Sequence, residues 1–153
     1  MDEQAVTEAI TRRYADLEVI ESSGNFFFQV RPGREAGPDR WLPFATLVTN
    51  DLYDRASRLE RPSVFRLNVG VSPETYRSLF GELPRGSGAS VIDTGHDYTA
   101  LDRLMPHPLY APMAWVCVLN PSEATFQALQ PLLDEAHTRA ARRGAARAER
   151  RET

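Results

Sequence analysis

Phe65-Arg66-Leu67-Asn68-Val69-Gly70-Val71-Ser72-Pro73-Glu74-Thr75-Tyr76 is the stretch that decides the fold. Phe65, Leu67, Val69 and Val71 alternate with Arg66, Asn68 and Gly70. That alternation predicts a half-buried strand with one apolar face and one face free for polar contact. Ser72 follows as the helix cap, Pro73 takes the first helical position, and Glu74 lies near the positive helix end. Tyr76, Leu79 and Phe80 supply the buried stripe, and Gly81 stops the helix. A second strand-to-helix corner runs from Ala114 to Phe126. There Asn120 is the expected cap, with Pro121 after it and Glu123 three residues on, as in a capping box.

Working outward, residues 3–17 read as an amphipathic helix, because Val6, Ile10, Tyr14 and Leu17 recur at helical spacing. Val19-Ile20 and Phe26 to Val30 flank Ser22-Ser23-Gly24-Asn25, a hairpin pattern. Residues 31–40 hold Pro32, Gly33, Gly37 and Pro38 among charges and read as an exposed loop. Trp41 to Thr49 is the third strand, with regular pairing from Phe44 because Pro43 cannot donate. Asp51 to Glu60 carries a short helical turn, and residues 82–100 form a Gly/Ser-rich loop. Leu101 to Met105 forms one turn, and Pro106-His107-Pro108 is extended. Trp115 to Leu119 is the last strand. Pro131 interrupts the final helix, giving a kink or two pieces near 121–130 and 131–146. The order α-β-β-β-β-α-β-α-α predicts an α+β two-layer sandwich, a mainly antiparallel sheet with helices packed on one face. Residues 1–140 form one α+β domain, and 141–153 an Arg/Ala-rich C-terminal tail, either a helix extension or disordered.

The strand-Ser72-Pro73-Glu74 corner, its helix through Phe80, and the block from His107 through Trp115 and Val116 into a terminal helix resemble the MmcQ/YjbR-like group of small bacterial proteins. The stretches Phe44 to Thr49, Phe65 to Val71 and His107-Pro108-Leu109-Tyr110 resemble an uncharacterised bacterial domain family of about this length. The resemblance implies a CyaY-like fold, also called a double wing, and a link to DNA binding.

Composition narrows the partners. The chain has 153 residues with a formal net charge of −3. All 18 basic residues are Arg. Residues 1–138 carry 12 Arg against 19 Asp or Glu, and residues 139–153 six Arg against two Glu. An acidic body is a poor match for phosphates, so nucleic acid is an unfavoured partner despite the basic tail. No apolar run reaches the roughly 20 residues of a membrane span, and no signal peptide opens the chain, so a cytoplasmic place is expected. Cys117 is the single cysteine and reads as a small apolar residue inside a strand.

Chemistry has few candidates. No nucleophile elbow, phosphate loop or dinucleotide fingerprint occurs, and no His spacing suits a metal, so neither cofactor nor metal is expected. His137 is placed on the solvated face of the last helix, without a role. His107 stands between two prolines that fix its backbone, and it is the candidate acid/base. Arg66 and Asn68 share the polar face of their strand, and Gly70 on that face leaves room for a ligand or a neighbouring backbone. With Tyr110, Trp115 and His96 they form the candidate ligand-binding set, suited to a small carboxylate or planar ligand. The expected function is an accessory protein binding a small molecule or a protein partner on its sheet face. The alternatives are a small enzyme using His107 beside Arg66 and Tyr110, and nucleic-acid binding through the Arg-rich tail and loops.

Overall fold

A computed structural model describes residues 1–31 and 43–152, with side chains as far as Arg143. The proposed loop at 31–40 and the start of the third strand at Trp41 thus fall almost wholly outside the described residues. The chain runs α1 (Glu3–Arg13), β1 (Leu17–Ser22), β2 (Asn25–Val30), β3 (Ala45–Val48), β4 (Arg66–Gly70), α2 (Pro73–Phe80), β5 (Met105–Pro106), β6 (Trp115–Leu119) and α3 (Glu123–Glu152). Among the described residues, six strands form one sheet in the order β1-β2-β3-β4-β6-β5, and every neighbouring pair is antiparallel. The architecture is α+β, with the three helices contributing to one core on one face of the sheet. Among the described residues, no helix is long and apolar enough to cross a membrane.

The two faces separate by strand alternation. Phe28, Ala45, Leu47, Leu67, Val69, Val116 and Val118 point to the helices, where Val6, Ile10, Tyr76, Phe126, Leu129, Leu133 and Ala136 meet them. Thr46, Asn68 and Cys117 lie in one cross-strand row on the other face. A smaller cluster of Val48, Leu59, Tyr98, Met105, Cys117 and Leu119 closes part of that face under loop segments. Cys117 is buried there, as its place in a strand suggests.

The β4–α2 corner forms as its sequence reads. Ser72 Oγ accepts the Thr75 N–H at 3.0 Å, Pro73 opens the helix, and Gly81 ends it at a φ of 91° that favours glycine. Leu79 departs from its expected place in the buried stripe, being 40% exposed. With only eight residues, α2 buries Tyr76, packs the half-buried Phe80 against the core as expected, and leaves Arg77 to Leu79 toward solvent.

Other elements differ from their sequence reading, among them Leu101 to Met105, which forms no helical turn and runs into β5 at Met105. The first helix ends at Arg13 instead of residue 17, because Leu17 pairs with Val30 and strand pairing overrides helical periodicity. No helical turn forms at 51–60; Asp51 and Asp54 fold the segment by side-chain bonds to the N–H groups of Leu59 and Ala56. The second corner is capped by Ser122, whose Oγ accepts the Thr125 N–H at 3.2 Å. Asn120 instead sits at a φ of 42°, and its side chain joins β6 to β4 by accepting from Phe65 N–H and donating to the Ser63 carbonyl. The repeated unit is therefore Ser-x-x-Thr, at Ser72–Thr75 and Ser122–Thr125. Finally, of the two readings at Pro131, separate pieces are excluded, because α3 runs unbroken through it. Pro131 and Gln127 both lie on the exposed side, so water can satisfy the carbonyl the proline leaves unpaired. Leu129, Leu133 and Ala136 anchor both sides of that position to the core.

The last helix also ties the first corner down. Glu135 accepts from the Ser72 N–H and the Thr75 hydroxyl, each at 2.6 Å, and Arg139 donates to the Val71 carbonyl at 2.6 Å. His137 is not solvated as its sequence position suggests. Its ring stacks on Tyr14 at 4.4 Å and its Nε2 lies 2.7 Å from Asp16.

Candidate functional site

β4 is wholly buried, which overturns the expectation of a half-open polar face. Arg66 is 2% exposed and Asn68 3%. A buried guanidinium requires a counter-charge and acceptors for its donors. Asp54, from the segment between β3 and β4, supplies the charge through a two-pronged contact at 2.8 and 3.1 Å. Ser57 Oγ accepts from Nη1 at 2.9 Å, and Asn68 Oδ1 accepts from Nε at 2.9 Å. Asn68 then donates to Thr46 Oγ1 across the sheet at 2.9 Å. Burial alone would raise the Asp54 pKa, but the hydrogen bonds and charge of Arg66 hold it below the usual carboxylate range.

His107 reaches the same place from the other side of β4. Pro106 pairs with Val116, and the His107 N–H donates to the Trp115 carbonyl at 3.0 Å, which sets the imidazole beside the sheet. Nδ1 accepts the N–H groups of Leu109 and Tyr110, each at 3.0 Å. A nitrogen that accepts two amides holds a lone pair, so the proton of the neutral ring sits on Nε2. Burial pulls the His107 pKa down to about 3; Arg66 lowers it too, and Asp54 opposes them. The imidazole is thus a fixed neutral donor. The acid/base role expected of it does not suit this environment, because a general base works best with a pKa near the operating pH.

These groups line a cleft of about 250 Å³ on the sheet face away from the helices. Arg66, Asn68, Thr46 and Asp54 form its polar floor together with His107. Phe27, Tyr53, Tyr110 and Trp115 supply aromatic walls. Phe27 and Tyr53 meet edge to face at 6.1 Å, and Tyr110 lies 4.8 Å from the His107 ring. Gly70 serves this wall. A Cβ there would stand 2.9 Å from the Trp115 indole, so the space expected for a ligand is taken by the indole itself.

Five of the six candidate site residues therefore converge: Arg66, Asn68, His107, Tyr110 and Trp115. His96 does not. It lies on an exposed loop, bonded to Thr94 at 3.1 Å and edge-on to Phe80 at 5.6 Å, outside the cleft. Thr46, Asp54, Tyr53 and Phe27 were not among the candidates. Asp54 had a signal, since an Arg placed inside a strand demands a carboxylate and acids cluster at 51–60. Among the described residues, no group of three or more His, Cys, Asp or Glu gathers as a metal site.

No curated protein and no solved structure matches the chain. The model of one family of unknown function, DUF6194, matches residues 1–150, nearly the whole length and every element that builds the cleft. The chain belongs to the DUF6194 family.

Proposed function

We propose that this protein binds a small, flat molecule in the cleft on the sheet face opposite its helices. The observation that carries this reading is convergence. Arg66 and Asn68, His107 and Tyr110, and Trp115 come from separated stretches of sequence and meet around one concavity. Aromatic walls around a few fixed polar groups are the usual make-up of a small-molecule site. The neutral state of His107 favours binding over acid/base catalysis as the use of the site. Kinship with the MmcQ/YjbR-like group belongs to the same proposal, supported by the strand-Ser72-Pro73-Glu74 corner. A fragment screen followed by protein-observed NMR tests the binding reading. Binders should shift the backbone signals of Thr46, Arg66 to Gly70 and His107 to Trp115. Binders that map elsewhere, or none at all, would reject it.

A further inference from the structure

The hydrogen bonds of the cleft floor leave a particular set of groups free. Among the described residues that line the cleft, Arg66 and Asp54 alone carry full charges, and they are matched to each other at 2.8 and 3.1 Å. His107 adds no charge, because Nδ1 accepts two backbone amides. The floor is therefore electrically balanced. Its acceptors are largely occupied. Asn68 Oδ1 takes Arg66 Nε, Asp54 Oδ1 takes Arg66 and the Ala56 N–H, and Asp54 Oδ2 takes Arg66. Its donors are not. Among the described residues, the His107 Nε2–H has no protein partner, and the Thr46 hydroxyl accepts from Asn68 but donates to nothing.

From this balance we infer that the cleft selects an uncharged ligand whose flat body carries a hydrogen-bond acceptor, such as a carboxamide or lactam carbonyl, directed at His107 and Thr46. The inference rests on the ligand-binding reading above and narrows its ligand class. An anion would give up its hydration without meeting net positive charge, and a cation would meet no unmatched carboxylate. A neutral carbonyl loses less on leaving water and meets two donors already held in place. The small carboxylate expected from an isolated Arg66 is thereby disfavoured, since Asp54 already occupies that guanidinium.

Benzamide, benzoate and benzamidinium share one flat shape and differ in charge, so they test the inference directly. Titration of each into the native protein at pH 7.5 is followed by NMR at the Trp115 indole N–H and the His107 Nε2–H. Benzamide is expected to bind at least about tenfold more tightly than either ion. Asp54→Asn unmatches Arg66 and should turn the preference toward benzoate. If that variant does not fold, Thr46→Val removes one donor without altering charge and should weaken benzamide about fivefold. Benzoate binding native protein as tightly as benzamide would overturn the inference while leaving the cleft a ligand site. Failure of all three probes to move either signal at millimolar concentration would overturn the ligand-binding reading with it. An unchanged benzamide affinity in Thr46→Val would remove the donor assignment.

Discussion

One sheet carries two unlike faces, one closed by apolar packing and the other built from matched polar groups around a cleft. On the helical face, apolar residues from β2, β3, β4 and β6 meet α1, α2 and α3 in a continuous core. Its stability follows from area removed from water, which needs shape but no particular partner. On the other face, a buried cation and carboxylate and three polar side chains are joined by hydrogen bonds, beside a neutral imidazole held by backbone amides. That face depends on each partner being present, because an orphaned buried charge costs more than the pair returns. It also leaves a concavity that close apolar packing would have filled.

Breaking the ion pair gives the largest expected effect. Arg66→Met strands Asp54 and should cost about 3–5 kcal/mol in chemical denaturation. Adding Asp54→Asn should recover a good part of that loss. A cost below about 1 kcal/mol for the single change would mean the two faces do not differ in this way. Next comes the helical face. Leu133 is fully buried, and Leu133→Ala should cost about 3 kcal/mol through lost burial and a cavity. Unlike Arg66→Met, it should not be rescued by any second change on the opposite face.

The smallest effect sharpens the comparison through pH. His107 is held at a pKa of about 3 in the fold, while an unfolded histidine titrates near 6.5. Below about pH 6.5 the unfolded chain gains a proton that the native state refuses. Stability from this group is therefore full above that value and falls with acid, by about 1.4 kcal/mol per pH unit until about pH 3. Between pH 6.5 and 5 the loss is about 2 kcal/mol. His107→Asn should lack this slope, so subtracting its stability profile from the native one isolates it. Parallel profiles would show that the imidazole is not kept neutral.

The legible parts of the sequence were those set by local rules. The β4–α2 corner follows from alternation, a serine cap and a proline at the first helical position. The hairpin follows from Ser22 to Asn25 between two β segments, although the turn itself narrows to Ser23-Gly24, with Ser22 and Asn25 paired as strand residues. Where a local rule competed with tertiary structure, the reading slipped. Leu17 satisfies a helical stripe yet joins β1, and Asn120 satisfies a cap yet ties two strands. Pro131 forbids one hydrogen bond but not a helix anchored on both sides. For the cleft, residue types and strand faces brought Arg66, Asn68 and Trp115 together correctly. Whether Arg66 is free or matched depends on Asp54, twelve residues earlier in a segment without regular structure, and alternation says nothing about that.

Strands β4 and β6 lie side by side although residues 71–114 separate them. A connection of that length must lose much of its freedom before the pairing rewards it, whereas β1 and β2 meet across a tight turn. The walls of the cleft come from both sides of this late closure. An incomplete chain, or one paused during folding, has the hairpin but no cleft. On the proposed reading, a molecule held in the cleft would meet only the finished protein, and its affinity would translate directly into resistance to unfolding.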